Sequence, residues 1–178
     1  MNLSQEALLK MLYLKIAQQN EVEKAMHFVN QGKVHLKAQG INQWQDGYPD
    51  ESCIQEDIKN QRGYFLMDAQ EAVGYLCVDF EGEPAYKTLD GCWKGNGAYG
   101  VIHRFAIGDQ WRGRGLATIV LRLVEMLCKQ KSITVIRVDT DVKNHKMQHI
   151  LHNNGFGYCG RIWLNNSEKF VYEKLLAI

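Results

Sequence analysis

The sequence lacks the features that mark several classes of protein. Its formal net charge is only +1 over 178 residues, so we expect neither a nucleic-acid nor a membrane partner. No apolar run is long enough to cross a bilayer, and Lys10 and Lys15 interrupt the N-terminal segment, which predicts neither a signal peptide nor a membrane span. No internal repeat, low-complexity tract or domain linker is evident. We therefore expect one cytoplasmic domain over residues 1–178.

The sequence also lacks the cysteine and histidine patterns of disulfide-bonded and metal proteins. The five cysteines are odd in number, and no two have C-x-x-C spacing, so free thiols in a reducing compartment fit best. His145 and His149 are spaced like two metal ligands on one helix, but no third ligand is evident. We therefore predict no disulfide framework and no metal.

The stretch that organises the chain runs over residues 99–117. Its β-branched and aromatic residues predict a buried strand that ends at Ile107. Gly108 and Asp109 interrupt that strand. The next residues open a helix, because apolar side chains then recur at helical spacing as far as Leu127. The predicted order is strand, glycine-rich turn and core-packed helix.

The glycine-rich turn over 110–117 predicts an anion-binding site. The first turn of a helix has backbone N–H groups without internal partners, and the helix dipole is positive there. Gly113 and Gly115 let an anion approach that backbone, and Arg112 and Arg114 add positive charge. The turn is therefore expected to bind a phosphate group.

The same turn resembles a known signature. Its Gln-x-x-Gly-x-Gly pattern, at Gln110, Gly113 and Gly115, is similar to the acyl-CoA signature of the GNAT N-acetyltransferase superfamily. Downstream, a predicted strand over 134–140 is followed by Asn144, with a Gly-Phe pair eleven and twelve residues after that asparagine. This arrangement resembles the second half of the superfamily core.

The resemblance covers residues 63–172 and implies a fold and an activity. The fold is of the α/β (α+β) class, with a mixed, strongly curved central sheet of about six to seven strands flanked by helices. The cofactor, acetyl-CoA, enters where the two central strands splay apart. The activity is direct transfer of the acetyl group to a primary amine of a small molecule or peptide, without a metal. The resemblance also favours a homodimer through the C-terminal strands.

The resemblance further implies how the cofactor is bound. Backbone N–H groups of residues 112–117 bind the pyrophosphate, and main-chain groups of Phe105 and Ile107 face the pantetheine arm. Asn144 contacts the pantetheine region, caps a helix, or does both. The predicted cofactor-binding residues are Phe105, Ala106, Ile107, Gln110, Trp111, Arg112, Gly113, Arg114, Gly115, Leu116, Ala117 and Asn144.

His103 is the predicted general base. Period-two alternation along the strand places it on the face of Phe105 and Ile107, near the expected thioester, and histidine titrates near neutral pH. The alternative is a core histidine that is hydrogen-bonded to the backbone. By the same alternation Arg104 points to the other face and has a structural role.

The sequence departs from the superfamily at the acid. Members often have a tyrosine four residues before the glycine of the Gly-Phe pair, where it protonates the CoA thiolate, but this position is Leu151. His152 is a weak candidate, since it lies about 100° further around the helix. Tyr158 and Cys159 lie beyond the following turn. The alternative function is therefore a non-catalytic module that binds and senses acyl-CoA.

Two aromatic residues predict where the acceptor binds. Trp44 and Tyr48 lie on a loop, where aromatics often line small-molecule sites, although both could simply cap the core. A nicotinamide dehydrogenase is a third class, because Gly113 and Gly115 precede a helix and Asp139 ends the next strand. The spacing excludes it, since a dinucleotide fingerprint has its glycines immediately after the strand.

The remaining elements are predicted from periodicity and capping residues. A helical or disordered lead over 2–9 precedes a strand over 11–17. A helix capped by Asn20 continues through Gly32, and a second helix covers 34–39. Ser52 with Gln55 resembles a capping box that opens another helix.

Overall fold

The computed structural model describes residues 11–177, which form a mixed α/β fold. The predicted lead over 2–9 lies outside these residues. The strands are β1 (Leu12–Ile16), β2 (Gly63–Asp68), β3 (Glu71–Asp79), β4 (Asp90–Gly91), β5 (Gly100–Ile107), β6 (Val135–Asp141), β7 (Gly157–Leu164) and β8 (Ser167–Leu175). The α-helices are α1 (Val22–Ala38), α2 (Glu51–Lys59), α3 (Leu116–Gln130) and α4 (His145–Asn153).

The strands form one mixed sheet in the order β1-β2-β3-β5-β6-β8-β7-β4. The predicted class, a mixed sheet flanked by helices, is confirmed. The described sheet has eight strands rather than the predicted six to seven, because β4 contributes only two residues, which pair with Arg161 and Gly160. So short a strand has no periodicity for the sequence to display.

The two central strands separate after a short parallel ladder. β5 and β6 pair only from Gly100 with Ile136 to Ile102 with Val138, although β5 continues to Ile107. Helix α3 forms the crossover between them. The predicted splay between the central strands is therefore confirmed.

A β-bulge interrupts β5 close to this splay. Tyr75 pairs with Ala106 and Cys77 pairs with His103, so one residue of β3 faces two residues of β5. The first of these two residues is Arg104, whose φ of +50° lies in the left-handed region. A bulge of this kind re-aims the side chains on either side of it.

The bulge reverses the alternation that the sequence predicted. Directly paired residues present their side chains on one face, so His103 lies on the face of Cys77. Phe105 and Ile107 pack instead against the core cluster that contains Ile102. The prediction that His103 shares a face with Phe105 and Ile107 is wrong, because alternation by two fails across a bulge.

Helix α1 runs without interruption through the predicted break at Gly32. An ideal Cβ at Gly32 would lie 2.8 Å from Cζ3 of Trp44, so the glycine makes room for the indole ring rather than ending a helix. Asn20 lies in a short 3₁₀ turn before α1. At α2 the cap is Asp50, which accepts a hydrogen bond from the N–H of Cys53 at 2.9 Å; Ser52 is not the cap.

Helices cover both faces of the sheet. Residues of α3, including Ile119 and Val120, are buried in one core cluster together with Leu151 of α4. Residues of α1 and α2 form a second cluster on the other face. No helix within residues 11–177 is long and apolar enough to span a membrane.

A buried ion pair holds the segment between β4 and β5 against the sheet. The guanidinium of Arg137 lies 4.0 Å from the ring centres of both Trp93 and Tyr99, and its Nε donates to Oε2 of Glu173 at 3.0 Å. The other carboxylate oxygen of Glu173 accepts hydrogen bonds from the N–H groups of residues 94 and 95. One arginine and one glutamate therefore order a glycine-rich loop.

Candidate active site

A cavity of about 700 Å³ opens where β5 and β6 separate. Its walls come from the C-terminal parts of these two strands, the N-terminal ends of α3 and α4, helix α1, the loop that follows α1 and the turn between β7 and β8. A volume of this size matches typical small-molecule and cofactor sites.

The glycine-rich turn forms part of the cavity wall. Gly113 and Gly115 have φ values of +77° and +75°, a conformation that side chains rarely adopt. An ideal Cβ at either position would meet nothing within 4 Å, so conformation rather than packing requires glycine here. Gly115 is the N-cap of α3 and has no side chain to cap it. The N–H groups of the first turn are thus left to a ligand.

The two arginines of the turn have different roles. Arg112 donates through Nε to the carbonyl oxygen of Ile107 at 3.1 Å, and its Nη1 lies 2.7 Å from Oδ1 of Asp109. The guanidinium of Arg114 stacks over the Trp111 ring, 4.8 Å from its centre. Arg112 therefore fixes the shape of the turn as well as contributing charge.

The cavity brings together ten of the twelve predicted cofactor-binding residues. Gln110 and Arg114 are exposed and do not line it. Oδ1 of Asn144 accepts a hydrogen bond from the N–H of Met147 at 3.1 Å, so this residue caps α4. Because Asn144 also lines the cavity, its two predicted roles are compatible.

The predicted acceptor residues also line the cavity. Trp44, Tyr48 and His103 all line it. The Trp44 ring also packs against the core cluster beneath α1, so it lines the cavity and caps the core at once. Arg104 and Asp139 also line the cavity, and neither was predicted from the sequence to be a site residue.

Arg104 is hydrogen-bonded to a buried carboxylate and to a tyrosine hydroxyl. Its Nε donates to Oδ2 of Asp57 at 2.6 Å, and Asp57 is only 2% exposed. Its Nη1 donates to the hydroxyl oxygen of Tyr48 at 2.7 Å. The hydroxyl of Tyr75 also donates to Asp57, at 3.2 Å. Nη2 of Arg104 also donates to Oδ1 of Asp57, and the two hydrogen bonds together fix the guanidinium plane. Arg104 therefore fixes the position of the Tyr48 hydroxyl.

His103 is a neutral residue at the back of the cavity. Burial, together with the positive charges of Arg104 and Arg62, lowers the pKa of His103 to about 3. Its Nε2 lies 3.8 Å from Oε2 of Glu83, which is longer than a hydrogen bond. Such an imidazole stays unprotonated at neutral pH and binds a proton weakly, which argues against the general-base role that the sequence suggested.

Asp139 is the titratable group best suited to proton transfer. Burial raises its pKa to about 6, although the hydrogen bond from the Tyr86 hydroxyl to its Oδ1, at 2.8 Å, opposes that shift. A base with a pKa near neutrality is efficient in general catalysis. One sequence signal could have identified Asp139. Three charged residues, Arg137, Asp139 and Asp141, occur in a strand whose other residues are typical of a buried strand.

The structure does not bring His152 to the cavity. Leu151 is fully buried and lines the wall, so the next residue on the helix is turned towards solvent. His152 is therefore not positioned to act as the acid. Tyr158 is half exposed and packs on Phe170 and Tyr172, and it does not line the cavity either.

Comparisons with known proteins agree with this geometry. A family model described as the acetyltransferase (GNAT) family matches residues 29–156. A GNAT-family acetyltransferase structure from Streptococcus agalactiae 2603 is 31% identical, with a TM-score of 0.85, and the match covers 94% of this chain and 96% of that one. No curated protein matches the chain.

Two more distant structures share the fold and hold coenzyme A. AAC(6')-Ib in complex with ribostamycin and coenzyme A is 19% identical with a TM-score of 0.66, over 92% of this chain and 93% of that one. RimL, a ribosomal L7/L12 alpha-N-protein acetyltransferase in complex with coenzyme A, is 16% identical with a TM-score of 0.65, over 93% and 94% of the two chains.

Proposed function

The chain belongs to the GNAT family of acetyltransferases, and we propose that it transfers the acetyl group of acetyl-CoA to a primary amine of a small molecule or peptide. The observation that carries this proposal is one continuous cavity. Its lining includes both the glycine-capped N-terminus of α3 and the Asp139 carboxyl, whose pKa is raised. A thioester cofactor and an amine could therefore meet in the gap between β5 and β6.

In this proposal the cofactor is bound largely by backbone groups. The pyrophosphate is assigned to the N–H groups of residues 112–117, where two glycines leave the first turn of α3 open. The pantetheine arm is assigned to the splay, because β5 leaves its parallel partner after Ile102 and so has free main-chain groups near Phe105. Under both assignments the thioester would lie in the gap between β5 and β6, whose wall includes Asp139.

In this proposal the acceptor amine is bound by one negative charge and by aromatic side chains. The Asp139 carboxylate would attract an ammonium group and accept its proton, and Trp44 and Tyr48 would cover the apolar part of the acceptor. The amine nitrogen then attacks the carbonyl carbon, the carbon–sulfur bond breaks and CoA departs. Much of the rate acceleration would come from holding the two reactants in contact.

A second function, acyl-CoA sensing without transfer, is favoured by one observation. Leu151 is buried on the cavity wall where many members have an acidic tyrosine, and leucine has no proton to donate. A sensing module would bind acetyl-CoA but release no CoA in the presence of amines.

Calorimetric titration with acetyl-CoA, with NADH as the control ligand, tests the cofactor assignment. A thiol-release assay then tests transfer with kanamycin, spermidine and a short peptide with a free N-terminus as acceptors. Binding together with amine-dependent CoA release supports the transferase. Binding with no release from any of the three acceptors favours the sensing module. Absence of acetyl-CoA binding overturns both.

A further inference from the structure

We propose that the hydroxyl of Tyr48 protonates the departing CoA sulfur, with Arg104 as its positioning residue. This inference rests on the proposed acetyl transfer. It assigns the proton donor that Leu151 does not supply.

The hydrogen bond between Arg104 and Tyr48 leaves the tyrosine hydrogen available. A guanidinium can only donate, so the Tyr48 oxygen is the acceptor in their 2.7 Å contact. The hydroxyl hydrogen is then available to another acceptor, and within residues 11–177 no hydrogen bond uses it. Because Tyr48 lines the cavity, that hydrogen can be directed at a ligand.

Three other proton carriers that line the cavity are less suitable. Lys169 is 4% exposed and lies 3.4 Å from Oδ2 of Asp141, which holds its ammonium group. The Thr118 hydroxyl accepts a hydrogen bond from Asn154 at 3.1 Å, at the helix end of the cavity. His103 is neutral, so it has no acidic proton to give.

The surroundings of Tyr48 suit a donor that must recover its proton. Burial raises its pKa, so the hydroxyl is protonated at neutral pH, and the neighbouring Arg104 opposes that shift by favouring the phenolate. Asp57 holds the guanidinium through two hydrogen bonds, so the positive charge does not move away when the phenolate forms. The left-handed bulge at Arg104 directs this side chain towards Tyr48 rather than towards the face of Phe105.

Bonds and protons balance in the proposed step. The ammonium form of the acceptor gives one proton to Asp139, and its nitrogen forms a bond to the carbonyl carbon. The carbon–sulfur bond breaks, its electron pair stays on sulfur, and the Tyr48 hydroxyl gives that sulfur a proton. The amide nitrogen loses its second proton to water, the Tyr48 phenolate regains a proton from water, and Asp139 releases its proton to water. The net products are the amide, CoA thiol and one proton.

The proposed contact between Tyr48 and the CoA sulfur can be tested without any acceptor. The affinities of CoA and of desulfo-CoA are measured for the wild type and for Tyr48→Phe. At about pH 9 a fraction of the free CoA thiol is ionised, and a hydroxyl that donates to sulfur favours the bound thiolate, so the wild type should prefer CoA roughly tenfold or more. Tyr48→Phe should remove this preference and keep desulfo-CoA affinity. An unchanged preference in the variant would overturn the proposal. Tyr13→Phe is the matched control, because Tyr13 is exposed on β1 and donates to Ala69.

Turnover gives the second readout. With an amine that the wild type acetylates, Tyr48→Phe should lower kcat by roughly a hundredfold with little change in KM for acetyl-CoA, because loss of a general acid typically costs this much. Arg104→Lys should lower kcat less, because lysine keeps the positive charge and loses only the planar, two-point hydrogen bonding of the guanidinium. A wild type that releases CoA beside an equally active Tyr48→Phe would overturn this inference alone. A wild type that binds no acetyl-CoA would overturn the proposed function as well.

Discussion

Replacement of Asp139 by asparagine should stabilise the protein while it removes the catalytic base. The pKa of Asp139 is raised from 3.8 to about 6 by burial, so the unfolded chain loses this proton more readily than the folded one. A shift of about two units corresponds to roughly 3 kcal/mol at 1.36 kcal/mol per unit. Asparagine keeps an oxygen that can accept the Tyr86 hydrogen bond and avoids the buried charge.

The sign of the pH dependence follows from the raised pKa. Below about pH 4 the Asp139 carboxyl is protonated in both the folded and the unfolded state, so its burial does not lower the free energy of unfolding. Above about pH 6 the carboxyl is ionised in both states, and burial of the charge lowers the free energy of unfolding by its full amount. Wild-type stability should therefore fall as pH rises through this window. We expect Asp139→Asn to be more stable than the wild type by about 1–3 kcal/mol near pH 7, with the difference disappearing near pH 4.

Chemical unfolding at several pH values measures this difference, and a thermal scan should show the variant melting higher by roughly 2–4 °C per kcal/mol. In the thiol-release assay the same variant should lose roughly a hundredfold or more in kcat. Asp90→Asn is the control, because Asp90 is exposed and lies outside the cavity. A stability difference that is the same at pH 4 and pH 7, or a destabilised variant at pH 7, would refute the reasoning.

Three further predictions concern the rest of the molecule. Gly113→Asp should abolish acetyl-CoA binding in a calorimetric titration, whereas Gly97→Asp, at an equally open glycine with φ of +90°, should keep it; equal binding by both variants would exclude the phosphate site. Glu173→Ala should cost roughly 3–5 kcal/mol in chemical unfolding, because it leaves the buried Arg137 unpaired, and a cost below about 1 kcal/mol would contradict this. Cys92 is exposed and should react with a thiol reagent before the buried cysteines, so Cys92→Ala should remove the fast phase.

The parts of the site that depend on neighbouring residues in sequence were predictable. The glycine-rich turn, the start of α3 and its apolar face follow from local spacing, and the structure has the helix at Leu116–Gln130. The splay was implied by the family resemblance rather than by any local pattern. Helix α3 must cross between two parallel strands, which sets where β5 and β6 can meet.

The parts that depend on distant residues were not predictable from one sequence. Gly32 looks like a helix end, and only the Trp44 ring explains why it lies inside α1. The bulge at Arg104 has no glycine or proline to announce it, and it moved His103 to the unexpected face. Asp139 became a candidate base only once burial beside Tyr86 was known.

The short ladder between β5 and β6 has a mechanical consequence. Three residue pairs, from Gly100 with Ile136 to Ile102 with Val138, hold two half-sheets together directly, and α3 bridges them on one face. A ligand seated in the gap would act as a cross-link between the two halves. Acetyl-CoA should therefore slow hydrogen exchange along both strands beyond Ile102 and Val138. The molecule would then be stiffer with acetyl-CoA bound than without it.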